Sequence, residues 1–256
     1  MNRFFYDSFQ QYLSTRGVKK VNFMLKDNET LNRRILEERV IEQLYIINQV
    51  HELSCGFNGY LRKRINNHTC KLIEEDKIQL KKFRRNLEKI RESGPIDRVE
   101  EIILENGDEI LNRGELVINT IIENGYIELV ARSMHNVEIC LTDVDFDNLL
   151  KGKDETIEIA NFDDIAYNMV EMDCYYFLAK LKRKGFYVDF EKCIDIFCKL
   201  EGLDENSNIF IRALLSYPYE FMRIYDKYKK NKKSWNEEEY IRRLVNGIKE
   251  DEKSLI

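Results

Sequence analysis

One short stretch concentrates the side chains able to do chemistry: Asp143-Val144-Asp145-Phe146-Asp147-Asn148. Three alternating carboxylates and an amide are hard oxygen donors of the kind a divalent cation takes. Further on, Asn161-Phe162-Asp163 adds a second amide and another carboxylate. An Asp five residues before an Asn can orient a hydroxyl nucleophile while the amide and a later acid clamp Mg²⁺ from two sides. In that reading Asp143 is the base, and Asn148, Asn161 and Asp163 stand at the metal positions. Other readings compete. An EF-hand loop wants Gly at its sixth position and Glu at its twelfth, where this chain has Asn148 and Asp154. A phosphatase of the haloacid dehalogenase type also delivers an Asp-x-Asp pair from a strand, but it needs repeated strand–helix units around a parallel sheet. A plain acidic turn is the simplest alternative, since Asp and Asn are good turn residues. Elsewhere the chemistry is thin. His51, Cys55, His68 and Cys70 lack the paired-ligand knuckle of a zinc site. His135 has no Ser or Cys partner in a nucleophile motif. Trp235 with Tyr217, Tyr219, Tyr225 and Tyr228 reads either as a ligand cage or, more simply, as core.

The elements around the loop follow from periodicity. A short strand over 137–141 leads into it, and a hairpin over 149–160 with a Gly152 turn leads out. Before it, three- and four-residue apolar spacing predicts helices over 35–53, 74–92, 96–106 and 109–123, with Gly107 as a break. After it come helices over 165–184, 190–201, 208–215, 219–229 and 236–250. Near the start, Phe4, Phe5, Phe9 and Tyr12 form one helical face, and Val21–Leu25 reads as a strand, followed by a cap at Asn28-Glu29-Thr30. The expected class is α+β, mainly α.

Composition narrows the setting. The 256 residues are 43% hydrophobic with a net charge of -5, which excludes disorder. No window reaches the ~18 apolar residues of a membrane span, and Met1–Asp7 has no signal-peptide pattern. Six single cysteines without a CxxC pair read as reduced thiols in a cytosolic setting. Basic runs at 81–85, 180–184 and 227–233 have acids nearby and read as solvated helix faces; with Asp+Glu 46 against Lys+Arg 41, no nucleic-acid partner is expected.

The layout resembles the spore coat protein kinase-like family (the CotS type), which is related to aminoglycoside and choline phosphotransferases. Several segments carry the resemblance. Val50-His51-Glu52-Leu53-Ser54-Cys55-Gly56-Phe57 is similar to the family's His-containing helix end, and Tyr126-Ile127-Glu128-Leu129-Val130 to its Tyr-x-x-Leu helix. Asp173 is similar to the Asp that opens the helix after the metal motif. Leu215-Ser216-Tyr217-Pro218-Tyr219-Glu220-Phe221, with Tyr228, Lys232, Lys233, Ser234 and Trp235, is similar to the closing segment. The resemblance runs from about Ile35 to the end of the chain. It implies a protein-kinase-like helical C-lobe over 35–256 and a reduced N-terminal segment over 1–34.

The departures are equally specific. The family's His-Gly-Asp opening is Leu141-Thr142-Asp143 here, and its metal-binding Asp is Asn161. No Gly-rich phosphate loop occurs, and Lys26 is the sole match to the phosphate-pairing lysine. Only 34 residues precede Ile35, short of a full N-lobe. The resemblance therefore implies a pseudokinase without cofactor, acting among other spore coat or sporulation proteins. Its place would be the cytoplasm, the forespore surface or the spore coat. The alternative it implies is an active small-molecule or protein phosphotransferase using Mg and ATP.

Overall fold

In the computed structural model, residues 5–22, 33–230 and 234–256 are described, residues 33–35 by backbone alone. Phe4, the Phe23–Leu25 half of the strand-like stretch, Lys26, the cap at Asn28–Thr30 and Lys232–Lys233 lie outside the described residues.

The chain runs β1 (Phe5–Tyr6), α1 (Phe9–Thr15), β2 (Lys19–Lys20), α2 (Arg33–Ser54), β3 (Tyr60–Leu61) and β4 (Asn66–Asn67). Two long helices follow, α3 (Lys71–Ser93) and α4 (Arg98–Glu123), then α5 (Tyr126–Asn136). The loop region holds β5 (Ile139–Cys140), β6 (Leu149–Lys151), β7 (Ile157–Ile159) and β8 (Ala166–Tyr167). The rest is α6 (Glu171–Arg183), α7 (Phe190–Glu201), α8 (Glu205–Ser216), α9 (Tyr219–Lys229) and α10 (Glu237–Asp251).

Two units divide these elements. One comprises Met1–Cys70 with Gly125–Ile211, the other Lys71–Asn124 with Arg212–Ile256. The first carries all the described strands. The expected hairpin is there: β6 and β7 pair antiparallel, Leu149 opposite Ile159, and β2 adds in parallel along β7. β8 pairs with β4 in parallel and with β5 antiparallel. The sequence pattern had placed β8 inside a helix over 165–184; that helix starts at Glu171 instead. A two-residue strand is too short to show alternation, and its partners come from far along the chain. Phe5 also leaves the expected helical face. It lies in β1, exposed and stacked on Tyr60, while Phe9 and Tyr12 pack against Phe57. α2 buries Val40, Leu44, Ile47 and Val50 on its apolar face.

The second unit is α3 and α4 with α9 and α10. The expected break at Gly107 does not occur, and α4 runs through it. A Cβ on Gly107 would sit 2.5 Å from Leu87 Cδ1, and one on Gly114 would sit 2.5 Å from Leu80 Cδ2. These glycines let α3 approach α4, which favours helix contact over helix termination. Asp97 caps α4 by accepting from Glu100 N at 2.8 Å. Asp251 plays the same role for α9, accepting from Glu220 N and Phe221 N.

Candidate active-site loop

Residues 141–148 form a turn fastened at several points. Leu141 N and Thr142 N each donate to the carboxylate of Asp173, both at 2.8 Å. Asp173 stands in the first turn of α6 and is fully buried. His51, from the last turn of α2, contacts Asp173 Oδ2 through Nε2 at 3.1 Å and Glu201 Oε1 through Nδ1 at 2.7 Å. Burial alone would push the imidazole pKa down; the carboxylates of Glu201 and Asp173 outweigh it and hold His51 well above its ordinary value. His51 is thus an imidazolium donating to two acids. From α2, the buried Gln43 amide donates to Val144 O at 2.8 Å and Leu149 O at 2.9 Å. Asp145 O accepts from Asn148 N and Leu149 N, both at 2.9 Å, and closes the turn.

Within this frame the four expected site residues take distinct places. Asp143 is part-exposed, with Lys180 Nζ 3.7 Å from its Oδ1. Asn148 is buried. Its Nδ2 donates to Asp143 O at 2.7 Å and to Asn161 O at 3.1 Å, and its Oδ1 accepts from Asn161 N at 2.6 Å. Asn161 is exposed, and its Oδ1 accepts from Asp163 N at 2.9 Å in a local Asx turn. Asp163 follows with its own side chain exposed. Asn148 therefore ties the backbone of Asp143 to that of Asn161, so three of the four residues meet around one amide.

Two lysines were missed in the sequence pattern. Lys180 and Lys184 keep much of their side chains in solvent, as expected of the run at 180–184, but Lys180 Nζ also lies 2.5 Å and Lys184 Nζ 3.3 Å from Asp145 Oδ2. Asp145 is only 2% exposed; burial would raise its carboxyl pKa, but the hydrogen bond and charge of Lys180, joined by Lys184, bring it below the usual value. The i, i+4 spacing on α6 was the available signal, since it sets both cations on one face. Thr142 is a second surprise. Its φ of 71° is left-handed, at the position where the resembling family carries Gly, and its buried Oγ1 has no hydrogen-bond partner.

These donors do not suit a kinase-type Mg²⁺ clamp. Mg²⁺ sites rely on one or two carboxylates together with substrate phosphates in near-octahedral geometry. Here Asp145 is neutralised by two lysines, the Asn148 and Asn161 side-chain oxygens accept backbone N–H groups, and Asp163 is the one carboxylate at an expected metal position. His51, Cys140 and Asp173 also bring ligand-type atoms within 4.8 Å of one another. Both nitrogens of His51 already face carboxylates, and the Cys140 thiol, its pKa raised by burial, donates to Met169 O at 3.0 Å. That cluster is a buried hydrogen-bonded network. Trp235 is held between the protein's own cations, with Arg243 at 4.1 Å and Lys227 at 5.4 Å from its ring centre, and Tyr240 packs edge-on against it. With Tyr228 and Tyr240 it borders a groove, and its ring face is already taken by these cations.

The fold resembles that of a solved phosphotransferase. One solved structure to which the chain is similar is an aminoglycoside phosphotransferase from Alicyclobacillus acidocaldarius, with a TM-score of 0.66 at 15% identity. The match covers 86% of this chain and 64% of that one, so the chain spans less than two thirds of its neighbour's length. No protein-family profile matches the sequence, and no curated protein does. At such identity the likeness carries the fold alone. Among the described residues, no helix is long and apolar enough to cross a membrane.

Proposed function

We propose that this chain is a pseudokinase of the spore coat kinase-like type, acting by interaction and not by phosphoryl transfer. The observation that carries the reading is that both amides at the metal positions serve the backbone, Asn148 from a buried position and Asn161 from an exposed one. Asn161 replaces a carboxylate and thereby removes a full negative charge from a cation site. Asn148 and Asn161 both spend their side-chain oxygens on backbone N–H groups at 2.6 and 2.9 Å. On this reading, residues 1–34 are a reduced N-terminal segment, 35–256 a helical C-lobe, and no cofactor is bound. Its partners on this reading are other spore coat or sporulation proteins, in the cytoplasm, at the forespore surface or in the coat, as the family resemblance implies. Nucleic acid is not among them, because the acidic balance disfavours a phosphate-tracking surface.

The second reading is an active Mg-ATP-dependent small-molecule or protein phosphotransferase with an atypical metal site. The part-exposed carboxylate of Asp143 supports it, since a general base must be reachable by its substrate. Thermal unfolding and ATP turnover, with and without Mg²⁺, separate the two. The expected result is no Mg-dependent ATP shift in the wild type and a gain of nucleotide binding in Asn161→Asp. ATP turnover that Asp143→Ala abolishes overturns the pseudokinase reading.

A further inference from the structure

Helices α3 and α9 of the second unit line a cavity of about 600 Å³. None of Asp143, Asn148, Asn161 or Asp163 borders it. Its walls are partly apolar: Leu72, Ile78 and Tyr219 contribute, and Ile78 is 52% exposed. Most polar groups there already have partners. Arg223 pairs with Glu220 and Lys230 with Asp226. Gln79 donates to Met222 O and accepts from Tyr217 OH.

Asp76 differs from them. It lines the cavity, is 8% exposed, and has no hydrogen-bond or ion-pair partner among the described residues. Burial, with Glu75 beside it, pushes its carboxyl pKa up to about 7. A buried acid without a donor costs stability and calls for a reason. What satisfies it is a cationic N–H donor, which forms a charge-assisted hydrogen bond. An alcohol supplies a weaker one, and a carboxylate supplies none.

We propose that this cavity binds a small organic monocation, a primary amine or guanidine on an apolar body. Its N–H groups donate to Asp76, and its body covers Ile78 and Tyr219. A polyamine is disfavoured, because Lys82, Arg223, Lys227 and Lys230 surround the space and repel a second positive charge. The site stands whether or not the loop at 141–148 transfers phosphate.

The test is calorimetric titration at pH 8, where Asp76 is ionised, with phenethylamine, 2-phenylethanol, phenylacetate and spermidine. Phenethylamine is expected to bind at least tenfold more tightly than the other three. Asp76→Asn should weaken it at least tenfold, while Asp143→Ala leaves it unchanged. Asn is isosteric with Asp, and melting curves check that the variant folds. Should it fail to fold, Ile78→Ser, at a half-exposed position, is expected to weaken the amine at least threefold. Equal binding of amine and alcohol, no amine binding at millimolar concentration, or full affinity in these variants overturns the proposal.

Discussion

Asn148 gives its entire amide to the backbone on either side of it, tying Asp143 to Asn161. The charged counterpart of that arrangement is His51. A buried imidazolium between Glu201 and Asp173 binds its proton more tightly folded than unfolded, so its folded pKa lies above the ordinary ~6.5. The sign follows from linkage: the stabilisation is complete below pH ~6.5 and is lost as pH rises through the folded value. Urea melts from pH 6 to pH 10 should show stability falling on the alkaline side. In His51→Gln that fall should be absent and overall stability lower by about 3–5 kcal/mol, because two buried carboxylates lose their cation. A wild type whose stability is flat to pH 10 contradicts this. At the residue scale the sequence revealed the amide at 161 and the missing glycine at 142, since both are readable identities. It did not reveal that Lys180 and Lys184 turn onto Asp145, because the choice between solvent and an ion pair depends on where the loop lies.

Two helix starts marked by a capping side chain were legible to within a residue. Asp189 accepts from Lys192 N and Asn236 from Glu239 N, and both α7 and α10 begin where the pattern placed them. The middle of α4 was not legible. A lone glycine in an apolar helix signals a break or a close neighbour, and nothing local distinguishes the two. The structure decides for the neighbour, which yields a test against ordinary propensity. Gly→Ala inside a helix usually gains up to about 1 kcal/mol. Gly107→Ala should instead lose about 1–3 kcal/mol, because the new methyl overpacks the buried Leu87. Thermal melts of Gly107→Ala, Leu87→Ala and the double variant form a cycle. The double variant should cost less than the sum of the singles. A strictly additive cycle, or a stabilised Gly107→Ala, argues that α3 and α4 do not touch there.

Over the whole molecule, the cysteines behave as the composition implied. All six are free, with Cys140, Cys174, Cys193 and Cys198 buried and Cys55 and Cys70 half-buried. Burial pushes the thiols of Cys193 and Cys198 up to about 12 and that of Cys174 well above its ordinary value, so little thiolate exists there at neutral pH. Iodoacetamide at pH 7.5, read by mass spectrometry, should modify no more than Cys55 and Cys70 in the native protein and all six in urea. Rapid native labelling of the four buried thiols is inconsistent with this core. The helix-rich class and the hairpin after the loop were readable, because both rest on local periodicity. The parallel pairings of β2 with β7 and of β4 with β8 were not, because each joins segments of two or three residues far apart in the chain.

The two units are interleaved, each made of two separate stretches of chain. That fixes an order of completion during synthesis. When Lys19 leaves the ribosome, its strand partner Glu158 has not been made. At about 5–20 residues per second, the delay is on the order of ten seconds. The first unit cannot finish before Ile211 emerges, nor the second before its last helix does, so α3 and α4, though able to pair with each other, spend that interval without the cover of α9 and α10. A nascent chain in that state is a natural client for a holdase chaperone, and the aromatic cluster of Phe9, Tyr12 and Phe57 is the part of the first unit able to form without waiting.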